Sequence, residues 1–328
     1  MNKTFHDKDL NDKSFLVTGG AGFIGSHIAE YLLKNGAKKV RVLDNMANGF
    51  QSNLDILKSY PAFEFVEGDI RNLQTCQQAC NGIDYITHQA ALGSVPRSIK
   101  EPQTTNDVNV GGFVNMLKAS VDNNIKRFVY ASSSSVFGDE PALPKKEDRI
   151  GNCLSPYAVS KRVNEMYAQV FADIYKIPVI GLRYFNIFGP RQDPEGPYAA
   201  VIPLFIKGII NKTPVYINGD GEQTRDFTFV ENAVQANIKA ILAENKEASN
   251  KIYNVAVGEN FSVNAVYDVI KKYLNKEHTP TYREPRASDV KNSLADISLA
   301  KNLLNYQPTT KFEAGLVITI EYFKKNNS

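Results

Sequence analysis

Two periodicities of apolar and polar residues alternate along the first half of the chain. Short apolar runs rich in Val, Ile and Phe are typical of buried strands, and the segments between them carry apolar residues at helical spacing. The predicted strands are 14–18, 39–44, 63–67, 84–88, 127–131 and 178–183. The predicted helices are 24–35, 72–80, 109–122 and 157–175. This alternation predicts a doubly wound α/β fold, in which helices cover both faces of a parallel sheet.

The alternation ends near residue 183, and a loop rich in Pro, Gly and charged residues follows at 190–203. Beyond residue 200 the pattern predicts helices at 202–211, 230–244, 263–274, 297–304 and 313–324, and strands at 214–217 and 253–257. We therefore predict a sheet domain with a smaller C-terminal substrate domain folded over its edge. The sheet domain spans 1–183, with the chain returning to it at about 226–257. The smaller domain comprises 184–225 and 258–328.

A glycine-rich turn joins the first predicted strand to the first predicted helix. Gly19, Gly20, Gly22 and Gly25 follow the strand directly, and Phe23 and Ile24 begin the helix. Glycines at this spacing allow a tight turn and a close approach of the backbone to a pyrophosphate, which the helix N-terminus attracts. Because the motif lies between a strand and a helix, it predicts a dinucleotide site in a Rossmann-type sheet.

Acidic residues end the second and third predicted strands. Asp44 lies 19 residues after Gly25, where a carboxylate can accept hydrogen bonds from the adenosine ribose and would repel a 2′-phosphate. Met46 and Ala47 follow, so no arginine stands there to bind that phosphate. The pattern favours NAD over NADP, and Asp69 could reach the adenine. The alternative is that Asp44 only caps a turn.

A serine, a tyrosine and a lysine form the candidate catalytic group. Tyr157 and Lys161 share one face at the start of a predicted helix, and Ser133 follows the fifth predicted strand. A tyrosine is a poor base at neutral pH, so we expect the neighbouring lysine, together with the positive nicotinamide ring, to lower its pKa. Taken alone, a Tyr-x-x-x-Lys pattern is more often an exposed helix face. The strand-end serine and the upstream glycines make the set specific.

Composition and charge narrow the range of functions. The 328 residues carry a formal net charge of +3, and the basic residues are scattered, which argues against a nucleic-acid partner. No apolar run is long enough for a membrane helix, and the polar N-terminus carries no signal-peptide core, so we expect a cytoplasmic protein without a membrane partner. The three cysteines and four dispersed histidines do not indicate a disulfide framework or a metal site.

With these motifs in place, the chain resembles the extended short-chain dehydrogenase/reductase family over almost its whole length. Within that family it is most similar to the UDP-hexose 4-epimerases. Ser133, in the run 132–138, matches the family's catalytic hydroxyl, and Tyr157 and Lys161 match its catalytic pair. Phe137 stands where the family often has tyrosine, which we interpret as a packing change.

The resemblance also implies a set of binding residues. Those expected to contact NAD are Gly19, Gly22, Phe23, Ile24, Gly25, Asp44, Asn45, Asp69, Ile70, Ala90, Ala91, Asn109, Tyr157, Lys161 and Tyr184. Those expected to contact a UDP-sugar are Gly93, Ser94, Arg97, Ser133, Ser134, Asn186, Gln192, Ala200, Val201, Arg225, Arg286, Asp289 and Ser293. Ser288 replaces a glycine that is usual before the ribose-binding aspartate. The alternative for Arg225 and Arg286 is a role in surface ion pairs.

The resemblance also narrows the type of reaction, because this chain lacks residues that other enzymes of the family use. Sugar-nucleotide 4,6-dehydratases carry an acidic pair where this chain has Ser134 and Ser135, and Cys153 does not match the cysteine motif of the GDP-fucose-synthase type. The remaining possibility is transient oxidation at the sugar C4, with NAD staying tightly bound through the cycle.

The stretches 88–98, 191–194 and 198–203 are similar to bacterial UDP-N-acetylglucosamine 4-epimerases. Ser293 stands where enzymes restricted to glucose and galactose have a bulky residue, so it leaves room for an N-acetyl group. The resemblance therefore implies interconversion of UDP-GlcNAc and UDP-GalNAc, with UDP-Glc and UDP-Gal as further possible substrates. One alternative is a 4-epimerase of UDP-glucuronate or another acidic UDP-sugar, with Arg97 meeting the carboxylate.

Two further alternatives are a non-catalytic NAD-binding regulator, which would usually lack the Tyr or Lys, and a net reductase, which would need exchangeable NADPH. The resemblance also implies a homodimer formed through the helices 109–122 and 157–175. For a bacterial source it implies a role in supplying precursors for surface polysaccharide or lipopolysaccharide.

Overall fold

The structure is a computed structural model that describes residues 4–195, 199–285 and 291–326. Its strands are β1 (Ser14–Thr18), β2 (Lys39–Asp44), β3 (Phe63–Glu67), β4 (Tyr85–His88), β5 (Arg127–Ser133), β6 (Val179–Tyr184), β7 (Ile187–Phe188), β8 (Tyr216–Asn218), β9 (Thr224–Arg225), β10 (Thr228–Phe229), β11 (Lys251–Val255), β12 (Phe261–Ser262) and β13 (Thr281–Arg283). Its α-helices are α1 (Phe23–Lys34), α2 (Gln51–Leu57), α3 (Leu73–Cys80), α4 (Val95–Lys100), α5 (Pro102–Asn106), α6 (Gly112–Asp122), α7 (Pro156–Tyr175), α8 (Val201–Asn211), α9 (Val230–Ile241), α10 (Val263–Leu274), α11 (Ser298–Leu304) and α12 (Phe312–Asn326).

A seven-stranded parallel sheet forms the centre of the molecule, with the strand order β11-β6-β5-β4-β1-β2-β3. Every residue of β1 is buried, because helices cover both faces of the sheet. Successive side chains of β1 point to opposite faces, so Phe15 and Val17 enter one core cluster and Leu16 enters another. The predicted doubly wound parallel sheet is confirmed.

The sheet order changes direction between β1 and β4, since β1 is followed by β2 on one side and pairs with β4 on the other. In an open parallel sheet, the crevice at the carboxyl ends of the strands beside such a point is the ligand-binding position. The glycine turn after β1 and the serines at the end of β5 both lie at these carboxyl ends. The topology therefore brings the two predicted motifs to the same edge.

A separate hydrophobic cluster joins α8, α10 and α12 through residues such as Phe205, Ile270 and Phe323. Helix α9 and strand β11 return to the sheet side, where Val234 and Val255 belong to its core. Ala300 and Leu304 of α11 also belong to that core, although the sequence-based division assigned this segment to the smaller domain. We therefore propose that residues 295–306 belong to the sheet domain and that the rest of the C-terminal part stays in the smaller domain.

Three short helices, α2, α4 and α5, were not predicted, because each has too few residues to show a period. A signal for α4 was present: Ser94 caps it by accepting a hydrogen bond from the Arg97 amide at 3.1 Å, and Pro96 lies in its first turn. The predicted helix 109–122 begins instead as a π-helical turn, Asp107–Gly111, before α6. No helix within the described ranges is both long and apolar enough to cross a membrane.

Candidate active site

The turn after β1 requires glycine for steric reasons. Gly19 adopts a positive φ of 67°, and a Cβ on it would lie 2.7 Å from the Ala90 amide nitrogen. A Cβ on Gly25 would lie 2.2 Å from the Gly19 carbonyl oxygen. The glycines thus let the N-terminus of α1 approach the end of β4 closely. This geometry fits a pyrophosphate bound by backbone N–H groups.

A cleft of about 640 Å³ opens over this turn, which is a typical size for a nucleotide or cofactor site. Almost all of the predicted NAD-binding residues line it. They are Gly19, Gly22, Phe23, Ile24, Gly25, Asp44, Asn45, Asp69, Ile70, Ala90, Ala91, Tyr157, Lys161 and Tyr184. The donor set and the size of the cleft fit a dinucleotide.

The two acidic residues of the cleft differ in their surroundings. Asp44 accepts hydrogen bonds from the Ala21 amide at 3.0 Å and the Met46 amide at 2.9 Å, and burial raises its pKa. It therefore braces the glycine turn while it lines the cleft. The Arg71 guanidinium lowers the pKa of Asp69 to about 2, so this carboxylate stays ionised. Arg71 also lines the cleft and was missed, although it follows Asp69 by only two residues.

Asn109 does not line the cleft and is 2% exposed. Its Oδ1 accepts a hydrogen bond from the Leu92 amide at 2.8 Å, and its Nδ2 donates to Ser160 Oγ at 3.1 Å. The predicted contact of Asn109 with the cofactor stays a prediction, and the structure gives this residue a supporting position. Asn109 ties the loop that carries Ala90 and Ala91 to helix α7.

The three candidate catalytic residues come together from β5 and α7. Ser155 caps α7 by accepting a hydrogen bond from the Ala158 amide at 3.2 Å, which sets Tyr157 in the first turn and Lys161 one turn later. Tyr157 lies beside Ser133, and the interaction of the two side chains lowers the pKa of the tyrosine. Lys161 Nζ donates to the Ala131 carbonyl at 2.8 Å and lies 6.0 Å from the centre of the Tyr157 ring.

Burial controls the electrostatics of this group. It raises the pKa of Tyr157 above 10, and the hydrogen bond with Ser133 offsets only part of the rise. Burial also lowers the pKa of Lys161 to about 8, against the opposing charge of Glu165. In the protein without its dinucleotide, burial therefore dominates the pKa of Tyr157, and the lowering expected from Lys161 together with the nicotinamide ring stays a prediction. Both shifts disfavour the charged forms, which are the phenolate of Tyr157 and the ammonium of Lys161.

A second, smaller cavity of about 250 Å³ adjoins the cleft. Ser133, Ser134, Tyr157 and Asn186 line both cavities, so these meet at the candidate catalytic group. The smaller cavity also reaches Arg225, Ser293 and Lys145 from distant parts of the chain. A molecule in the smaller cavity and a dinucleotide in the cleft would touch across Tyr157.

The remaining predicted substrate residues have different positions. Gly93 and Gln192 line the larger cleft, whereas Ser94, Arg97, Ala200 and Val201 line neither cavity. Arg97 donates a hydrogen bond to Asn48 Oδ1 at 3.3 Å. Arg286 and Asp289 lie outside the described residues.

A buried hydrogen-bond network under the cleft was not predicted. Tyr184 donates to Gln89 Oε1 at 2.9 Å and accepts from Asn237 Nδ2 at 2.6 Å, and Thr87 donates to Asn237 Oδ1 at 2.9 Å. Gln89 and Tyr184 line the cleft, while Asn237 comes from helix α9. No local sequence signal connects these residues, since they are far apart in the chain. Within the described residues there is no cluster of His, Cys, Asp and Glu that could hold a metal ion.

Known proteins share this architecture and its length. A UDP-glucuronate 4-epimerase of Thermodesulfobacterium geofontis is 34% identical over 320 residues, covering 95% of this chain and 96% of the relative. The structure of a UDP-N-acetylglucosamine 4-epimerase from Methanobrevibacter ruminantium M1, in complex with UDP-N-acetylmuramic acid, matches with a TM-score of 0.90 at 38% identity. The match covers 96% of this chain and 99% of that one.

The UDP-glucose 4-epimerase of Thermus thermophilus, in complex with NAD, matches with a TM-score of 0.84 at 31% identity over 95% of this chain and 99% of that one. The family model named Epimerase, the NAD dependent epimerase/dehydratase family, matches residues 15–256. With the glycine turn, the acidic strand ends and the Ser133–Tyr157–Lys161 group assembled at one sheet edge, this chain belongs to the NAD-dependent epimerase/dehydratase family.

Proposed function

We propose that this protein is an NAD-dependent UDP-sugar 4-epimerase that interconverts UDP-GlcNAc and UDP-GalNAc. The observation that carries the proposal is the smaller cavity, which joins the dinucleotide cleft at Tyr157 and has Ser293 in its wall. Relatives named for UDP-glucose, UDP-glucuronate and UDP-N-acetylglucosamine are all similar to this chain. The choice of sugar therefore depends on the residues that line this cavity.

The chain's own residues move the proton in the proposed reaction. Tyr157 accepts the proton of the sugar 4-hydroxyl, and Ser133, which lines the smaller cavity with it, would bind the same oxygen by a hydrogen bond. Lys161 stabilises the phenolate that forms, because a cation nearby favours the charged form. A dinucleotide held by the cleft around Gly22 and Asp44 would supply the hydride acceptor for the sugar C4 and the hydride for the return step. The 4-keto sugar turns over in the smaller cavity between the two half-reactions, and Tyr157 then returns its proton.

Turning the sugar requires that the nucleotide stay fixed. Arg225 lines the smaller cavity and has its guanidinium held by the Thr224 carbonyl at 2.8 Å. Asn186 lies where the two cavities meet, and its Nδ2 donates to the Asp226 carbonyl at 3.4 Å. Both are placed to bind the diphosphate while the sugar moves. We propose them as the substrate anchors.

The direct test is to incubate the purified protein with UDP-GlcNAc, without added cofactor, and to follow the anomeric protons by NMR. Formation of UDP-GalNAc supports epimerisation, retained NAD and an open pocket together. Conversion of UDP-glucose or UDP-glucuronate, without conversion of UDP-GlcNAc, would support the epimerase mechanism and contradict the assignment of an N-acetylated substrate. No conversion of any of these sugars, even with NAD supplied, would contradict the proposed function.

Ser293 offers a sharper test of the sugar choice. It is 9% exposed, and its amide donates to the Thr224 carbonyl at 3.1 Å, so its backbone is fixed at the cavity wall. Ser293→Tyr is expected to abolish turnover of acetylated sugars by steric exclusion and to spare UDP-glucose. Equal loss on both sugars would show that Ser293 does not act as a gate.

We also propose that two copies of the chain associate through α7. Large apolar side chains are exposed along one side of this helix, at Val159, Met166, Val170 and Ile174. The spacing places them in a stripe, which a second copy of the same helix could cover. Helix α6, the other helix named by the resemblance, exposes no comparable side chain within the described residues. Val170→Lys is expected to give a monomer by sedimentation analysis.

A further inference from the structure

Lys145 is a buried cation in the wall of the smaller cavity. It is 4% exposed, and its ammonium donates to the Glu140 carbonyl. Within the described residues, no carboxylate lies within ion-pairing distance of it. Lysines are almost never this buried unless their charge is paired, because burial of an unpaired charge is costly. Lys145 therefore brings to the wall of the cavity a positive charge that no described carboxylate pairs.

The backbone fixes Lys145 beside the residue that we propose as the sugar gate. The Lys145 amide donates to the Leu294 carbonyl at 2.7 Å, and the Asp296 amide donates to the Lys145 carbonyl at 2.9 Å. Asn254 Nδ2 donates to the same carbonyl at 2.9 Å. Lys145 and Ser293 thus belong to one rigid wall, and Lys145 cannot move away without breaking these bonds.

Neighbouring charges do not neutralise the cation. Burial lowers the pKa of Lys145, and the charge of Glu140 opposes this effect from a distance. The Glu140 carboxylate is itself engaged, since its Oε1 accepts a hydrogen bond from the Ala142 amide at 3.0 Å. Arg97, the cation first considered for an acidic sugar, does not line this cavity.

We propose that Lys145 is a specificity-determining residue that binds a carboxylate on the sugar of the UDP-sugar substrate. A carboxylate would supply the missing counter-charge and a charge-assisted hydrogen bond, whereas a hydroxymethyl or acetyl oxygen would leave the charge unbalanced. Since Ser293 leaves room for an N-acetyl group, the substrate class is a UDP-N-acetylhexosaminuronate. This inference rests on the proposed 4-epimerase function and extends its substrate range.

The test compares kcat/KM for UDP-N-acetylglucosaminuronate and UDP-GlcNAc in the wild type, Lys145→Met and Lys146→Met. The wild type is expected to convert the carboxylated sugar at least as efficiently as the neutral one. Lys145→Met should lower kcat/KM for the carboxylated sugar at least about tenfold, or about 1.4 kcal/mol, and change the neutral sugar much less. Lys146→Met is the control, because the Lys146 side chain follows Lys145 directly but is half exposed and does not line the cavity.

Equal losses on both sugars would mean a structural role for Lys145 and would overturn the inference. If Lys145→Met does not fold, the wild-type ratio and Lys145→Arg decide, since Arg keeps the charge and should keep the preference. A wild type that converts UDP-GlcNAc but not the carboxylated sugar would overturn the inference and leave the proposed function intact. A wild type that converts neither, nor any other UDP-sugar, would overturn the proposed function itself.

Discussion

Two buried polar clusters lie next to each other along α7, and they differ in how completely their charges are paired. In the first, Arg183 donates to both carboxylate oxygens of Glu165, at 2.8 and 2.9 Å, and Ser132 Oγ donates to the same carboxylate at 2.7 Å. In the second, Lys161 is 3% exposed and has no carboxylate within ion-pairing distance among the described residues. Glu165 follows Lys161 by only one helical turn.

The difference separates residues that hold the site together from residues that we propose to perform the chemistry. The paired cluster joins the ends of β5 and β6 to α7, and its buried Arg183 has a carboxylate partner in Glu165, which also pairs with the half-exposed Arg162. The proposed catalytic cluster holds a lysine and a tyrosine whose pKa values are both displaced by burial. Displaced pKa values of this kind are common at catalytic sites, where stability is given up for reactivity.

The largest expected effect is that of Tyr157→Phe. Removal of the hydroxyl leaves no group to exchange the proton of the sugar 4-hydroxyl, so kcat should fall by about 10³- to 10⁴-fold. Because Tyr157 is not part of the paired cluster, the unfolding temperature should change little. Tyr273→Phe, on the exposed side of α10, is the matched control. Activity within tenfold of the wild type would show that another group is the base.

Glu165→Gln should act on stability instead. Breaking a buried ion pair leaves the Arg183 charge uncompensated and typically costs about 3–5 kcal/mol. Urea unfolding should therefore show a large loss, while kcat per folded molecule falls much less. Asp173→Asn, at an exposed position of the same helix, should cost almost nothing. If kcat of the folded variant collapses, Glu165 acts on Lys161 electrostatically and the separation of roles is wrong.

Lys161→Met should remove activity and raise stability. Burial holds the folded pKa of Lys161 at about 8, below its usual 10.5, so the charged form is disfavoured in the folded state at pH 7. At about 1.4 kcal/mol for each pKa unit, replacing Lys161 by Met should raise the free energy of unfolding by up to about 3 kcal/mol. The unfolded chain binds more protons between these pKa values, so wild-type stability should rise with pH in that range.

Urea midpoints of wild type and Lys161→Met at pH 7 and pH 9 measure this effect. The advantage of the variant should be full below pH 8 and shrink above it. A variant less stable than the wild type would mean that the hydrogen bond of Lys161 to the Ala131 carbonyl is worth more than the cost of burial.

The smallest expected effect concerns the network under the cleft. Asn237→Leu removes the bonds to Tyr184 and Thr87 at similar volume and should cost about 1–3 kcal/mol. It should also reduce the amount of NAD that remains with the purified protein, because Tyr184 lines the cleft. Asn232→Leu is the control: Asn232 is equally buried on α9 but bonds Thr309 and Thr310, away from the cleft. Equal NAD retention in both variants would make the network purely structural.

Sequence patterns among neighbouring residues were enough to predict much of the fold and part of the candidate site. The glycine spacing before α1, the strand-end Asp44 and the Tyr157–Lys161 pair each involve residues that are close in sequence. Their relative positions are therefore set by the geometry of a turn, a strand or one helical turn. The alternation of strands and helices likewise determined a parallel sheet, because parallel neighbours need a crossover between them.

Only the tertiary structure decided which distant residues share a surface. Lys145, Ser293 and Ser133 meet in one cavity, and Glu165 finds Arg183, because the sheet order brings separate segments together. The same packing placed Asn109 between the Leu92 amide and Ser160, and it raised the pKa of Tyr157 by excluding water. Burial and pairing depend on the whole neighbourhood of a group, and a linear pattern does not contain that neighbourhood.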